Sequence, residues 1–183
     1  MMADTLIRKA RPGDARGIAR VHVESWRTTY AGIIPDRVMI GMSIDDKAAG
    51  WRRLLTRRAP REAVLVATQP EAGIVGFASI GPAQALTHRF AAELYMLYVL
   101  TDWQDRGIGR GLLQGAFAHL ARQGLGSAFA WVLADNPARF FYEAVGATRA
   151  GERDELLWGV SLHEVAYGWS DLSAWLAAQA PRP

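Results

Sequence analysis

The 183 residues are half hydrophobic and 21 % charged, which suits one compact domain spanning 1–183 and excludes the apolar-poor, charge-rich pattern of disorder. The lack of cysteine excludes disulfides, thiolate metal sites and a covalent acyl-cysteine intermediate. The net charge of +3 is carried almost wholly by arginine, Lys9 and Lys47 being the lysines, and gives a mild bias toward anionic ligands.

The opening MMADTLIRKARPGD contains no apolar signal core, and no apolar run reaches the ~18 residues of a membrane span. The expectation is a soluble, cytoplasmic protein with no membrane partner. TLIRKA predicts a short first strand, and RPGD a turn in which the Asp14 carboxylate caps a helix. Ile18, Val21, Ser25 and Trp26 recur at helical spacing on one face until Gly32 and Pro35 break the pattern. A second helix is expected over DRVMIGMSIDDKAAGWRRLLTRR, interrupted around Gly41 to Ser43. EAVLVAT and GIVGFASIG are β-type apolar runs joined by QPEA, which has the length and residue types of a hairpin connection. AAELYMLYVL makes a longer strand, then comes a glycine-rich loop, then a helix with Ile108, Leu112, Leu113, Phe117 and Leu120 on its apolar side. SAFAWVLA reads as a fifth strand, NPARFFYEAV as a short helix opened by Asn136 and Pro137, and GATRAGERDELLWGVSLHEVAYGWSDL as two final strands. Leu172, Trp175 and Leu176 are spaced to pack a last helical turn before a frayed end.

The glycine loop joins a strand to a helix, and so presents unpaired backbone N–H groups at the positive end of that helix, a ready site for phosphate oxygens. The dinucleotide fingerprint G-x-G-x-x-G fails because Gly107, Gly109 and Gly111 are followed by Leu112 where the third glycine belongs. The P-loop fails because the region has no lysine. Gln104-Asp105-Arg106-Gly107-Ile108-Gly109 is a Q-x-x-G-x-G match. It resembles motif A of the GNAT family, the GCN5-related N-acetyltransferases, in which such a loop holds the pyrophosphate of acetyl-CoA. The element order β, α, α, β, β, β, α, β, α, β, β over residues 5 to 169 is similar to the family order throughout. DNPARFFYEAVGA resembles motif B, in which an Asn precedes an F-Y pair. From Asn136 to Tyr142 is six residues where the family commonly has seven, so Asp135 and Asn136 both stand open as the cofactor contact.

The resemblance implies an α/β (α+β mixed) fold: a mixed twisted central sheet of about six to seven strands, flanked by about four helices and splayed between strands four and five. It implies that acetyl-CoA binds as co-substrate through Gln104, Asp105, Arg106, Gly107, Ile108, Gly109, Arg110 and Gly111, through Leu97, Tyr98 and Val99, and through Asp135 or Asn136 with Arg139. A backbone N–H at Leu97 or Val99, where family members carry a bulge, would polarise the thioester carbonyl, and the opened strand edge would bond the pantetheine arm as another strand.

Transfer to an amine also needs a base and an acid, because a lysine-like amine with a pKa of about 10.4 is protonated near neutrality. Glu93 lies eleven residues before Gln104, the spacing at which the histone-acetylating branch of the family carries its catalytic glutamate. The other reading of Glu93 is a strand-edge carboxylate facing water. By the motif B correspondence Tyr142 donates to the leaving sulfur; the other reading is core packing beside Phe141. Trp26, Tyr30 and Tyr95 would line the acceptor pocket, or serve as ordinary core. Without cysteine, direct transfer in a ternary complex is the simpler scheme, and no metal is required. His22, His88, His119 and His163 have no paired ligand spacing and read as structural or surface residues. Arg52, Arg53, Arg57, Arg58 and Arg61 read as a solvated helix edge rather than a nucleic-acid patch, since no recognition motif accompanies them. The expected function is N-acetyl transfer to a primary amine of a small molecule or peptide, with homodimerisation left open. The alternative is a non-catalytic acyl-CoA sensor or partner module.

Overall fold

The computed structural model describes residues 5–57, 59–84 and 89–179. Strands β1 (Leu6–Lys9), β2 (Ala63–Gln69), β3 (Gly73–Pro82), β4 (Ala92–Val99), β5 (Ala128–Leu133), β6 (Thr148–Leu157) and β7 (Val160–Trp169) form a 7-stranded sheet in the order β1-β2-β3-β4-β5-β7-β6. Only β4 and β5 run parallel. Helices α1 (Ala15–Thr29) and α3 (Ile44–Thr56) cover one face of the sheet, joined by the short α2 (Asp36–Ile40). Helices α4 (Ile108–Arg122), α5 (Ala138–Ala144) and α6 (Leu172–Gln179) lie against the other. No helix among the described residues is long and apolar enough to cross a membrane.

Among the described residues six α-helices stand where about four were expected. The expected second helix breaks at Gly41, and Ser43 restarts the chain as an N-cap, its Oγ accepting from the Asp46 amide at 3.3 Å. Residues Leu172–Gln179 make a full helix because Leu172 and Trp175 are buried, with Trp175 edge-on to Phe117 and its indole donating to the Val145 carbonyl at 2.6 Å. Residues 180–183, where a frayed end was expected, lie outside the described residues.

The expected cap at Asp14 takes another form. Its carboxylate accepts from the Arg8 guanidinium at 2.7 and 2.9 Å and from the Arg11 amide at 2.7 Å, and makes no bond to the α1 amides. A bidentate charged partner outcompetes a single amide. The Arg8 hydrogen bond holds this carboxyl below the usual carboxylate range. A depressed carboxylate contributes stability that is present above about pH 4 and lost as pH falls through the folded value. Arg8→Ala should therefore cost about 1 kcal/mol at pH 7 and flatten the acid side of the stability curve, read by urea unfolding at pH 7 and pH 3.

What positions the site is one extra residue in β4. The register with β3 runs Val99↔Gly76 to Met96↔Ser79, then jumps to Leu94↔Ile80, leaving Tyr95 as a bulge. The resemblance had implied the bulge at Leu97 or Val99; the extra residue lies earlier, at Tyr95. Its effect is a reversal of alternation. The Ala92 amide donates to Ser127 on the β5 side, whereas the Leu100 amide donates to Val75 on the β3 side. Both numbers are even, so an unbroken strand would send both amides the same way. Side chains reverse too: Ala92 and Leu94, then Leu97 and Val99, pack on the α4 face, while Met96, Tyr98 and Leu100 pack under α1 and α3. Past the bulge, the peptide groups of Leu97 and Val99 point to the β5 side.

Among the described residues no strand pairs with them there. β4 and β5 share only Ala92↔Ala128 and Glu93↔Phe129, and then splay apart.

Candidate active site

The splay opens a cleft with a free volume of about 120 Å³. On the α1 face it is lined by Ser25, Thr29, Tyr30, Tyr95, Tyr98 and Trp131; on the α4 face by Leu94, Leu97, Val99, Val132, Asn136 and Tyr142. The lining is thus drawn from both faces of the sheet. A larger cavity of about 380 Å³ lies between the end of α3 and strands β1 to β3, lined by Lys9, Leu54, Arg57, Pro60, Glu62 and Ser79 among others. It holds no residue of the glycine loop, so size alone does not mark the site.

At the end of β4, Gln104 folds back and its Nε2 donates to the Val99 carbonyl at 3.0 Å, tying the loop to the strand. Asp105 has φ 57° and Gly107 has φ 77°, two left-handed residues that turn the chain sharply into α4. The first helical bond runs from the Gly111 amide to the Gly107 carbonyl, so the amides of Ile108, Gly109 and Arg110 lie outside the helix's own ladder. A Cβ on Gly109 would stand 3.2 Å from the Phe141 ring, which shows how closely α5 approaches this turn. The Ile108 side chain is buried and Gly111 sits against Ile7 of β1, so at these two positions of the loop only the backbone is left to meet a ligand. Arg106 stacks over Trp103 at 4.8 Å and Arg110 donates to Gln179 at 2.7 Å; both guanidinium groups are exposed on the loop side.

A scan of the sequence against family models matches residues 20–147 to the acetyltransferase (GNAT) family. The chain belongs to the GNAT family. It is 37% identical over 168 residues to YuaI of Bacillus subtilis, an uncharacterized N-acetyltransferase, covering 92% of this chain and 94% of that one. Among solved structures, the GCN5-related N-acetyltransferase from Rhodopseudomonas palustris superposes with a TM-score of 0.70 at 24% identity, over 93% of this chain and 98% of the other. The structure of yncA from Salmonella typhimurium, solved with its cofactor acetyl-CoA, gives 0.68 at 22% identity over 99% and 98%. At such identities these structures show the shared fold.

In this GNAT chain the motif B positions separate cleanly. Asn136 is buried and lines the cleft, its Oδ1 accepting from the Ala138 amide at 2.9 Å to start α5, whereas Asp135 is exposed and outside the lining. Arg139 stacks on Phe140 at 4.7 Å and donates to the Ala134 carbonyl. Tyr142 is buried against Tyr167 and Trp169. Burial pushes its phenol well above the ordinary tyrosine value, so it stays protonated and able to donate.

Glu93 occupies the last paired position before the splay. Its carboxylate accepts from the Gln84 amide at 3.0 Å, and it is half-buried but not among the residues lining the cleft. Tyr95, the bulged residue, donates its hydroxyl to Pro82 at 2.7 Å. Tyr30 and Tyr98 join hydroxyls at 3.1 Å across the α1 side, with burial the main cause of the raised pKa of both. Trp26 stacks edge-on to Tyr30 at 5.0 Å and to Trp158 at 6.1 Å, behind the lining itself. Trp158 arrives there because β6 and β7 join through the two-residue turn Trp158-Gly159, with φ 52° and 79°, the geometry of a tight hairpin.

The His22 imidazole is buried, with desolvation lowering its pKa to about 4. His163 bonds Asp154 at 2.8 Å at an exposed site; His119 is lowered by desolvation; His88 lies outside the described residues. Among the described residues no cluster of three metal-ligating side chains occurs. Arg52, Arg53, Arg57 and Arg61 are exposed, and Arg58 lies outside the described residues. Ser25, Thr29 and Trp131 were not singled out as site residues. The signal available was Ser25, a lone hydroxyl within an apolar helical stripe.

Proposed function

We propose that the protein moves the acetyl group of acetyl-CoA directly onto a primary amine of a small molecule or peptide in a ternary complex. The observation that carries this reading is a cleft at the β4–β5 splay lined from both faces of the sheet, with aromatic residues on its α1 side and, on its α4 side, Gln104 of the glycine loop, whose Gly109 lies against α5. Two partners can then meet from opposite faces. Acetyl-CoA supplies the acetyl group as an activated thioester.

The amides of Ile108, Gly109 and Arg110, at the positive end of α4, receive the pyrophosphate, with Arg106 and Arg110 adding charge nearby. The edge at Leu97 and Val99 that β5 leaves, where Gln104 holds only the Val99 carbonyl, takes the pantetheine arm as a further strand, and one of its N–H groups polarises the carbonyl. Tyr142 holds the proton that the departing sulfur takes. Asn136, inside the cleft, is the motif B residue placed to meet the cofactor, in preference to Asp135. Glu93 accepts the amine proton through water, since it stands at the root of the splay rather than within its lining.

Release of free thiol from acetyl-CoA across an amine panel tests this function. Turnover with any amine supports it; acetyl-CoA binding with no turnover assigns the chain to acyl-CoA sensing instead. The role of Glu93 has its own test. Glu93→Gln keeps an acceptor oxygen for the Gln84 amide but removes the basicity. Its kcat/KM should be depressed near neutral pH and recover as rising pH deprotonates the amine unaided. Parallel pH profiles for variant and wild type would leave Glu93 a positioning residue or a strand-edge carboxylate.

A further inference from the structure

The extra residue of β4 sends its side chain across the neighbouring strand. Tyr95 donates its hydroxyl to the Pro82 carbonyl of β3 at 2.7 Å. That carbonyl faces away from β4, because the Ala83 amide of the same peptide donates to Ala91 at 3.2 Å and the two ends of a trans peptide point opposite ways. On that far side the β2 ladder has already ended, at Ala63↔Ile80. The phenol therefore stands in for a missing strand.

To reach Pro82 the ring must lie over Gly81. A Cβ there would stand 2.6 Å from the Tyr95 hydroxyl and 2.9 Å from the ring edge, well inside the separation of packed atoms. Tyr95 and Gly81 are thus a matched pair, and they mark where the extra residue sits. Below it Ala92, Glu93 and Leu94 pair in order with Pro82, Gly81 and Ile80; above it Met96 to Val99 pair with Ser79 to Gly76. Shifted past Leu97, the bulge would return that residue's peptide group to the β3 side.

We propose that Tyr95 is a positioning residue for the transfer: its strap over Gly81 to Pro82 fixes the bulge at one place in β4, and so aims the Leu97 and Val99 peptide groups at the gap. This rests on the acetyl-transfer reading and adds to it a residue that acts through the backbone. The role takes the place of the acceptor-pocket contact expected for Tyr95, whose hydroxyl is committed to Pro82.

Tyr95→Phe keeps the ring and removes the strap. It should lower kcat about tenfold at saturating amine, with the KM for acetyl-CoA and for the amine each changed less than about twofold. Gly81→Ala displaces the strap from the other side and should reproduce that loss. Because Glu62 Cγ also lies 2.9 Å from the same point, the two changes are combined: acting on one bond, they should be no slower together than the slower variant alone. Hydrogen–deuterium exchange of residues 96–100 should quicken about tenfold in both single variants. An unchanged kcat with a raised amine KM makes Tyr95 a wall of the cleft and overturns the proposal. A lower melting temperature with unchanged kcat makes the strap purely structural and overturns it too, as do additive losses in the double variant. If the wild type releases thiol with no amine, the acetyl-transfer reading fails, and the strap is then read by exchange alone. Faster exchange at 96–100 upholds its hold on the bulge, and unchanged exchange removes it.

Discussion

Gly109→Glu should abolish acetyl-CoA binding, weakening it more than about 100-fold by calorimetry. The turn before α4 leaves backbone amides free of the helix: two left-handed residues, Asp105 and Gly107, swing the chain, and three amides follow before the helix closes its first bond. A carboxylate at Gly109 would put negative charge where phosphate oxygens are received, at the end of the helix dipole that attracts them. The Phe141 ring lies 3.2 Å from where the new Cβ would stand, so part of the effect is displacement of α5. Gly109→Ala separates the two causes, since it adds the Cβ without the charge. It should lose about tenfold in affinity. If Gly109→Glu binds as well as wild type while remaining folded by circular dichroism, the loop is not the pyrophosphate site.

Tyr142→Phe should lower kcat by about 100-fold while the KM for acetyl-CoA changes less than about twofold. The phenyl ring keeps the packing against Tyr167 and Trp169, at 6.1 and 6.0 Å between ring centroids, so the loss is confined to the hydroxyl. Burial holds this phenol neutral. The wild-type rate should therefore show no alkaline limb from Tyr142 below about pH 10, the ordinary tyrosine value. A variant with the wild-type kcat would make Tyr142 a core aromatic, with the sulfur protonated by water.

The chemistry of the site was only partly legible. The loop from Gln104 to Gly111 was readable because glycine spacing and the change from strand to helix period are local signals. Within it, the parts played by individual residues were not: Ile108 and Gly111 turn out to face the core and β1, because a helix start must also pack. Asp135 and Asn136 could not be ranked from a six-residue spacing. The chain path into α5 buries Asn136 beside the cleft and exposes Asp135.

The sequence by itself determined the element order, the faces of α1 and α4, the β2–β3 hairpin and the strand-loop-helix unit. Each of these depends on periodicity or turn chemistry within about 15 residues. Tertiary structure decided the rest. Asp14 gave up its capping role to a bidentate bond with Arg8. One extra residue at Tyr95 reversed the alternation of β4, and with it which peptide groups face the gap. That reversal has no local signature in AELYMLYV, where every position is apolar or aromatic after Glu93 and either parity reads equally well. Ser25 and Trp131 stand 106 residues apart in the chain, and only the splay of β4 from β5 brings both to one opening.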